Sequence, residues 1–424
     1  MRQLAEIKRL NYPYFMEALV EWANGFDFAS VLNSNAYEDA HGRYILLAGV
    51  GHKRLVKKGS IQEIRELYAA KKTWLFGHLG YDLKNQIENL STRHSAQFDF
   101  GDLTFFEPEF VVQQKRGNDS VQIWGESIES IQPFLEILET YSAPEEFSFP
   151  MLQPKMSRTE YLEAIRALKD EIQYGNIYEI NYCQEFYAEE VELDCSATYA
   201  RLNKKSAMPF SAFYKNQTET LLCASPERFL TKRGNKVYSQ PIKGTVKRGT
   251  SEVEDAALKI QLKSDLKEQT ENVMIVDLVR NDLSRTAVKA SVKVEELFGV
   301  YPFPQVHQLI STVSSTLKLD KDLFDLIETT FPMGSMTGAP KISAMKLADK
   351  HEKTRRELYS GSVGYIAPDG DVDFNVVIRS LMHSTKSKRL SLMVGGAITH
   401  MADPEMEYEE CLLKAKAVLE LGKE

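Results

Sequence analysis

The sequence predicts an α+β fold built on antiparallel sheets. Three features carry this. Apolar, partly alternating stretches cluster into hairpins instead of alternating regularly with helices. The helical stretches stand between those clusters. The reversals between neighbouring strands are short and carry Gly and Asn, as at Gly117-Asn118 and Arg233-Gly234-Asn235, because those residues tolerate the positive φ of a tight turn.

In chain order, residues 1–150 read as a mixed α/β region. Strands are expected over 28–32 and 44–50, with Asn33-Ser34-Asn35 as a turn. A further apolar stretch is expected over 74–79, and hairpin strands over 105–113 and 120–124. Residues 139–155, rich in Pro, Glu, Ser and Phe, read as the linker to a second region, 151–424. There Ser157 and Glu160 form a capping-box pattern ahead of the stripe Tyr161, Ile165, Leu168, Ile172, and Gly175-Asn176 stops that helix. A strand over 177–187 and hairpins over 209–245 follow. Residues 250–285 read as helix in two pieces, with Ser251/Glu254 and Asp265/Glu268 as caps and a break near Ser264. A strand at 292–297, a Gly/Pro-interrupted loop at 331–341 and a helix at 341–351 come next. Three successive antiparallel strands at 359–366, 372–382 and 390–399 precede a closing helix over 404–421.

The 424 residues are enough for two or three average domains, or one large one with elaborations. With 43% hydrophobic and 26% charged residues, the chain can bury a real core. The net charge of -8 argues against nucleic acid or an anionic membrane as the main partner. Any anion site must therefore concentrate positive charge locally or hold a cation. Cys183, Cys195, Cys223 and Cys411 are scattered, without metal-type pairs, as expected of reduced thiols in a cytoplasmic protein. The N-terminus mixes Arg2, Glu6, Lys8 and Arg9 with apolar residues, so no signal peptide is expected, and no apolar run is long enough to span a bilayer.

Several residues could carry chemistry. Lys243 stands where a strand ends, in Pro241-Ile242-Lys243-Gly244-Thr245, and Glu227 stands near the start of its hairpin partner. Pro241 marks an edge or an ending strand, and Gly244 permits close backbone approach. An amine and a carboxylic acid brought together supply a nucleophile and an acid for a leaving group. Taken alone, the stretch fits a solvated turn lysine and a surface glutamate better. Glu268 and Glu271 share one helical face, and Glu407 and Glu410 repeat that spacing, with Lys414 one turn on. Facing each other, the two pairs would make an oxygen-rich site for a hard cation such as Mg²⁺. Spacing alone favours the plainer reading, a capping residue and an acidic first turn. Arg379, in an apolar strand, needs a carboxylate from either the protein or a substrate. His307 is by default a core histidine. Gly395-Gly396 could offer backbone N–H groups to an anion or form a bulge. Residues 334–341 lack the order of a phosphate loop.

Together these segments resemble the chorismate-utilising enzyme family. The likeness rests on Ala224-Ser225-Pro226-Glu227-Arg228-Phe229, Pro241-Ile242-Lys243-Gly244-Thr245, Glu271-Asn272-Val273-Met274-Ile275-Val276-Asp277-Leu278, Arg280-Asn281-Asp282, Val306-His307-Gln308-Leu309, Thr337-Gly338-Ala339-Pro340-Lys341, Tyr359-Ser360-Gly361 and Glu407-Tyr408-Glu409-Glu410. It is dense and collinear over 157–420. The first 150 residues resemble the family loosely, through Gly77-His78-Leu79-Gly80-Tyr81-Asp82. The resemblance implies two packed, largely antiparallel sheets flanked by helices, with the catalytic, chorismate-binding region in 151–424. It implies Mg²⁺ between Glu271 and Glu410, with Glu268 and Glu407 behind them. Tyr359, Arg379, the Gly395-Gly396 backbone and Lys414 match the residues that hold the enolpyruvyl carboxylate. Gly244 and Thr245 match a loop near the ring, His307 a histidine beside it, and Thr337 a hydroxyl-bearing pocket residue. Glu227 matches the acid that protonates the departing C4 hydroxyl.

Lys243 points to a branch of the family. Anthranilate synthases usually carry alanine there, whereas the lysine form marks the aminodeoxychorismate synthases. In that branch the lysine attacks C2 as the C4 hydroxyl leaves, and ammonia then enters at C4 and displaces it. This requires a protonated Glu227 and a neutral Lys243, which desolvation and a nearby cation would favour. The resemblance thus implies C4-amination of chorismate on the way to 4-aminobenzoate and folate, with anthranilate formation or a non-enzymatic subunit as alternatives. Isochorismate-forming relatives use a different lysine, whose counterpart here is Glu179. The ammonia-using relatives usually carry glutamine at that position. Gly395-Gly396-Ala397 also departs from the family's Gly-Ala-Gly. No cysteine has the surroundings of a glutamine amidotransferase nucleophile, so ammonia is expected from a separate glutaminase subunit.

Overall fold

The computed structural model describes residues 2–144 and 147–423; residues 145 and 146, inside the expected linker, lie outside the described residues. Two antiparallel sheets dominate, of twelve and ten strands. Their facing surfaces share a core of Phe28, Leu47, Tyr214, Leu221 and Cys223 from the larger sheet and Phe76, Phe105, Leu230, Val363 and Phe374 from the smaller. The outer face of the larger sheet is covered by helices Phe15–Asn24, Arg158–Gln173, Cys195–Lys205 and Pro404–Leu419, which bury Leu19, Ile165, Tyr199 and Ala415 against Val31, Phe213 and Leu222. Alternate residues of one strand therefore enter different cores: Leu222 and Ala224 pack outward, Leu221 and Cys223 inward. This is why these strands read as continuous apolar runs. Among the described residues no helix is long and apolar enough to cross a membrane.

Strands from residues 1–150 are woven into both sheets. Phe28–Asn33 pairs with Phe210–Asn216 in the larger sheet, and Leu75–Leu79 with Ser362–Ile366 in the smaller. The expected helix caps at Ser157 and Ser251 are present, and the helical stretch breaks at Asp265, which ends Glu252–Ser264 and caps Leu266–Ser284. Two expectations are corrected. Residues 105–113 form two strands, Leu103–Glu107 in the smaller sheet and Phe110–Lys115 in the larger, because Pro108 cannot continue the hydrogen-bond ladder. Residues 372–382 likewise form Val372–Asn375 in the smaller sheet and Ser380–Ser384 in the larger, with 376–379 passing between them. Strands Arg2–Lys8, Arg54–Lys57 and Val306–Thr316 and helices Phe15–Asn24, Ile61–Ala70, Gln132–Thr140 and Leu323–Thr330 add to the expected set.

Candidate active site

Two chain crossovers between the sheets hold two of the candidate residues. At the first, Glu219–Ser225 of the larger sheet leads through Pro226-Glu227 into Arg228–Arg233 of the smaller. At the second, 376–379 returns to the larger sheet and ends on Arg379, whose φ of +51° lies in the left-handed region. The crossovers are stitched together: Val376 N donates to Glu227 O at 3.0 Å and Ala224 N to Arg379 O at 3.3 Å. Buried Arg228 anchors the first, donating to Asp373 (2.9 Å), Asp39 and Gln240. A backbone conformation that disfavours L-residues persists only where the surroundings over-determine it, and such positions cluster at functional sites.

Glu227 is 4% exposed. Burial pushes its carboxyl up to about 7 against the opposing pull of the Ser335 hydroxyl, Lys243 and Arg379. Burial also lowers the Arg379 guanidinium to about 10, with Glu227 opposing. Arg379 has no carboxylate in ion-pair contact among the described residues, so its planar fork is available to another one.

Lys243 lies on Ile242–Lys247, at one end of the smaller sheet's strand order. Its Nζ donates to Glu179 Oε1 at 2.8 Å, with the two side chains only 10% and 2% exposed. Glu179 opens strand Glu179–Ala188 of the larger sheet, so the ion pair bridges the sheets. Burial works against the ammonium charge, but Glu179, Glu271 and Glu227 outweigh it and the pKa is raised. Burial alone therefore does not hold this lysine neutral: three carboxylates face it. Gly244 adopts φ +96°, and a Cβ there would meet Glu268 Oε2 at 3.0 Å and Leu309 at 3.1 Å, so only glycine lets this strand pass the acidic helix.

The acidic pairs lie on Leu266–Ser284 and Pro404–Leu419 and face common neighbours. Lys267 Nζ lies 3.4 Å from Glu407 Oε1 and 4.0 Å from Glu271 Oε1. Lys414 pairs with Glu410 at 2.8 Å and donates to Gly395 O at 3.1 Å. A Cβ on Gly396 would lie 3.4 Å from Glu407 Oε2. Burial raises the pKa values of Glu268 and Glu407, with Glu410 adding repulsion to both, and pushes Glu271 up to about 7. Glu410 is lowered, mainly by Lys414. Glu271 Oε1 is buried without a hydrogen-bond partner. Among the described residues no three His, Cys, Asp or Glu side chains converge as a ready metal cage. Repelling carboxylates with a buried oxygen that lacks a hydrogen bond suit a Mg²⁺ ion, which takes one or two carboxylates and completes its shell with water or substrate oxygens.

The remaining candidates are placed less uniformly. Thr337 Oγ1 donates to Gly334 O and Met333 O, inside the turn whose Ser335 hydroxyl meets Glu227. Tyr359 is buried, with its hydroxyl 3.9 Å from Cys183 Sγ, and Cys183 in turn pairs with Gly395. Thr245 is exposed, opposite Gln308. His307 is buried, its Nε2 2.8 Å from Asp255 Oδ1 and its Nδ1 unpartnered. It adjoins the strand of Lys243 through its pairing with Val246. Sequence reasoning did not single out Arg356, which donates to Met336 O and Asn181 O at 2.7 Å each and binds Glu352. It thereby ties the Ser335 turn to the strand of Glu179. Its only sequence signal is an arginine three residues before Tyr359.

A family profile described as chorismate binding enzyme matches residues 17–420. The chain belongs to the chorismate-binding enzymes. It is 32% identical to aminodeoxychorismate synthase component 1 of Klebsiella aerogenes, over 92% of this chain and 93% of that protein. It is 34% identical to the protein of that name from Escherichia coli (strain K12), over 81% and 75%. An anthranilate synthase component 1 of Haloferax volcanii is 36% identical over 62% of this chain and 51% of its own length. The crystal structure of anthranilate synthase component I from Streptococcus pneumoniae TIGR4 superposes with a TM-score of 0.78 at 23% identity, over 91% and 94% of the two chains. That likeness establishes the two-sheet α+β fold for this chorismate-binding enzyme.

Proposed function

We propose that this chain is the chorismate-aminating component of an aminodeoxychorismate synthase. It turns chorismate and ammonia into 4-amino-4-deoxychorismate, in the cytoplasm, with ammonia supplied by a separate glutaminase subunit. The observation that carries this reading is Lys243: a buried amine on one sheet, facing Glu227 at a crossover and Glu179 on the other sheet.

In this reading the Lys243 nitrogen bonds to C2, the two ring double bonds shift from C1=C2 and C5=C6 to C1=C6 and C4=C5, and the C4–O bond breaks. Glu227, with a pKa near 7, gives its proton to the departing hydroxyl, which leaves as water. Ammonia then bonds to C4, both double bonds return to C1=C2 and C5=C6, and the C2–Nζ bond breaks. The Glu227 carboxylate recovers its proton from the new C4 ammonium group. Arg379 takes the enolpyruvyl carboxylate, with Tyr359, Lys414 and the Gly395-Gly396 backbone around it, and Gly244, Thr245, Thr337 and His307 border the ring. Glu271 and Glu410, backed by Glu268 and Glu407, would hold Mg²⁺, which when bound supplies positive charge for the ring carboxylate.

The test is product identity. Purified protein incubated with chorismate, Mg²⁺ and ammonium is expected to yield 4-amino-4-deoxychorismate, seen as 4-aminobenzoate after addition of a lyase that removes pyruvate. Direct appearance of fluorescent anthranilate would instead make the chain an anthranilate synthase component.

A further inference from the structure

Glu179 is the residue at which this chain departs from the glutamine usual in ammonia-using relatives, and it is the hydrogen-bond partner of Lys243 Nζ. Its Oε2 is buried and has no hydrogen-bond partner among the described residues. Its strand is firmly held: Tyr178 N donates to Ala339 O, Asn181 N to Thr337 O, and Arg356 binds Asn181 O. The other charged groups facing Lys243 are Glu271 on its helix, Glu227 at the crossover and Glu410 on the C-terminal helix, and none of them is in ion-pair contact with it. A buried amine and a buried carboxylate at 2.8 Å share one proton as a unit.

We propose that Glu179 is the base that takes the proton of Lys243 as its nitrogen attacks and gives it back when the lysine is displaced. The proposal rests on Lys243 being the nucleophile. One Nζ–H bond breaks and the proton moves to the Glu179 carboxylate. The freed lone pair then bonds to C2, and Glu227 protonates the leaving hydroxyl. When ammonia has entered at C4, Lys243 departs as the amine and recovers its proton from Glu179. The internal transfer needs no exchange with solvent, so the availability of the nucleophile does not vary with pH while the pair holds one proton. A glutamine cannot accept that proton, so the amine must first lose it to water, and each lower pH unit then costs about tenfold in its neutral fraction.

The experiment compares kcat/KM for chorismate in wild type and Glu179→Gln between pH 6.5 and 8.5, at equal total ammonium and saturating Mg²⁺. Taking the ratio cancels the ionisation of ammonia and of Glu227. The ratio of wild type to variant is expected to fall by about tenfold per pH unit as pH rises. A second arm uses Glu179→Ala at pH 7, where formate is expected to restore activity by tenfold or more and formamide to restore none. A ratio that stays constant with pH, or equal effects of formate and formamide, overturns the proposal. Wild-type protein that makes no aminodeoxychorismate overturns the functional reading beneath it, so the two failures are distinguishable.

Discussion

A carboxyl buried at a crossover between two sheets is a poor anion, and a general acid needs that property. Glu227, pushed up to about 7 mainly by burial, is still largely protonated just below neutrality. Its proposed role as acid predicts an alkaline limb in kcat/KM near pH 7, on top of the ionisation of ammonia. Glu227→Gln is expected to lower amination by 10²-fold or more. The same shift bears on stability. Because the folded pKa lies above the ordinary 4.5, the contribution of Glu227 is fully present below about pH 4.5 and is lost as pH rises through about 7. Glu227→Gln should therefore raise the melting temperature at pH 8 relative to wild type and leave it little changed at pH 4. An unchanged melting temperature at pH 8 would mean that the carboxyl is solvated. For Arg379, the lack of a carboxylate in ion-pair contact among the described residues leads to a separate expectation. Arg379→Lys keeps the charge but loses the planar fork, and KM for chorismate should rise about tenfold or more with a smaller change in kcat.

At the scale of elements, the proposed function places Mg²⁺ between the two acidic helices. Mg²⁺ titrated into the protein without substrate is expected to raise the melting temperature, and Glu271→Ala to remove that rise; no Mg²⁺ effect on wild type would contradict the metal site. Asp265 ends one helix and caps the next, so Asp265→Ala should cost about 1 kcal/mol, read by urea denaturation. These helix boundaries were legible because their signals are local: Ser157 with Glu160, and Asp265 ahead of Glu268. The split strands were not legible in the same way. An apolar run such as Val376-Val377-Ile378 looks alike whether it stays in one sheet or crosses to the other, since both faces of these strands are buried. The short strand Arg54–Lys57 and the helix Phe15–Asn24 had no strong cap or turn signal to announce them. In the site, Lys243, Glu227 and the glutamate pairs stood out through ordered motifs. The contact between Lys243 and Glu179, 64 residues apart, arises only when the two sheets pack.

For the whole molecule, both sheets draw strands from residues 1–150 and from 151–424, and the candidate residues Glu227 and Arg379 lie where the sheets exchange chain. Residues 151–424 expressed alone would leave Phe210–Asn216 and Ser362–Ile366 without their neighbours and expose the inward faces that Phe76 and Phe105 cover. That fragment is expected to be insoluble or to lack a cooperative melting transition, which differential scanning calorimetry would show. The ion pair of Lys243 and Glu179 joins one sheet to the other, so the position of the Lys243 amine is set by the packing of the two sheets. The most direct test of the account is the product made by Lys243→Ala from chorismate, Mg²⁺ and ammonium. The expected outcome is folded protein whose aminodeoxychorismate formation is lost by several orders of magnitude, with any remaining amination at C2, as anthranilate. Wild-type rates of aminodeoxychorismate formation from that variant would contradict it.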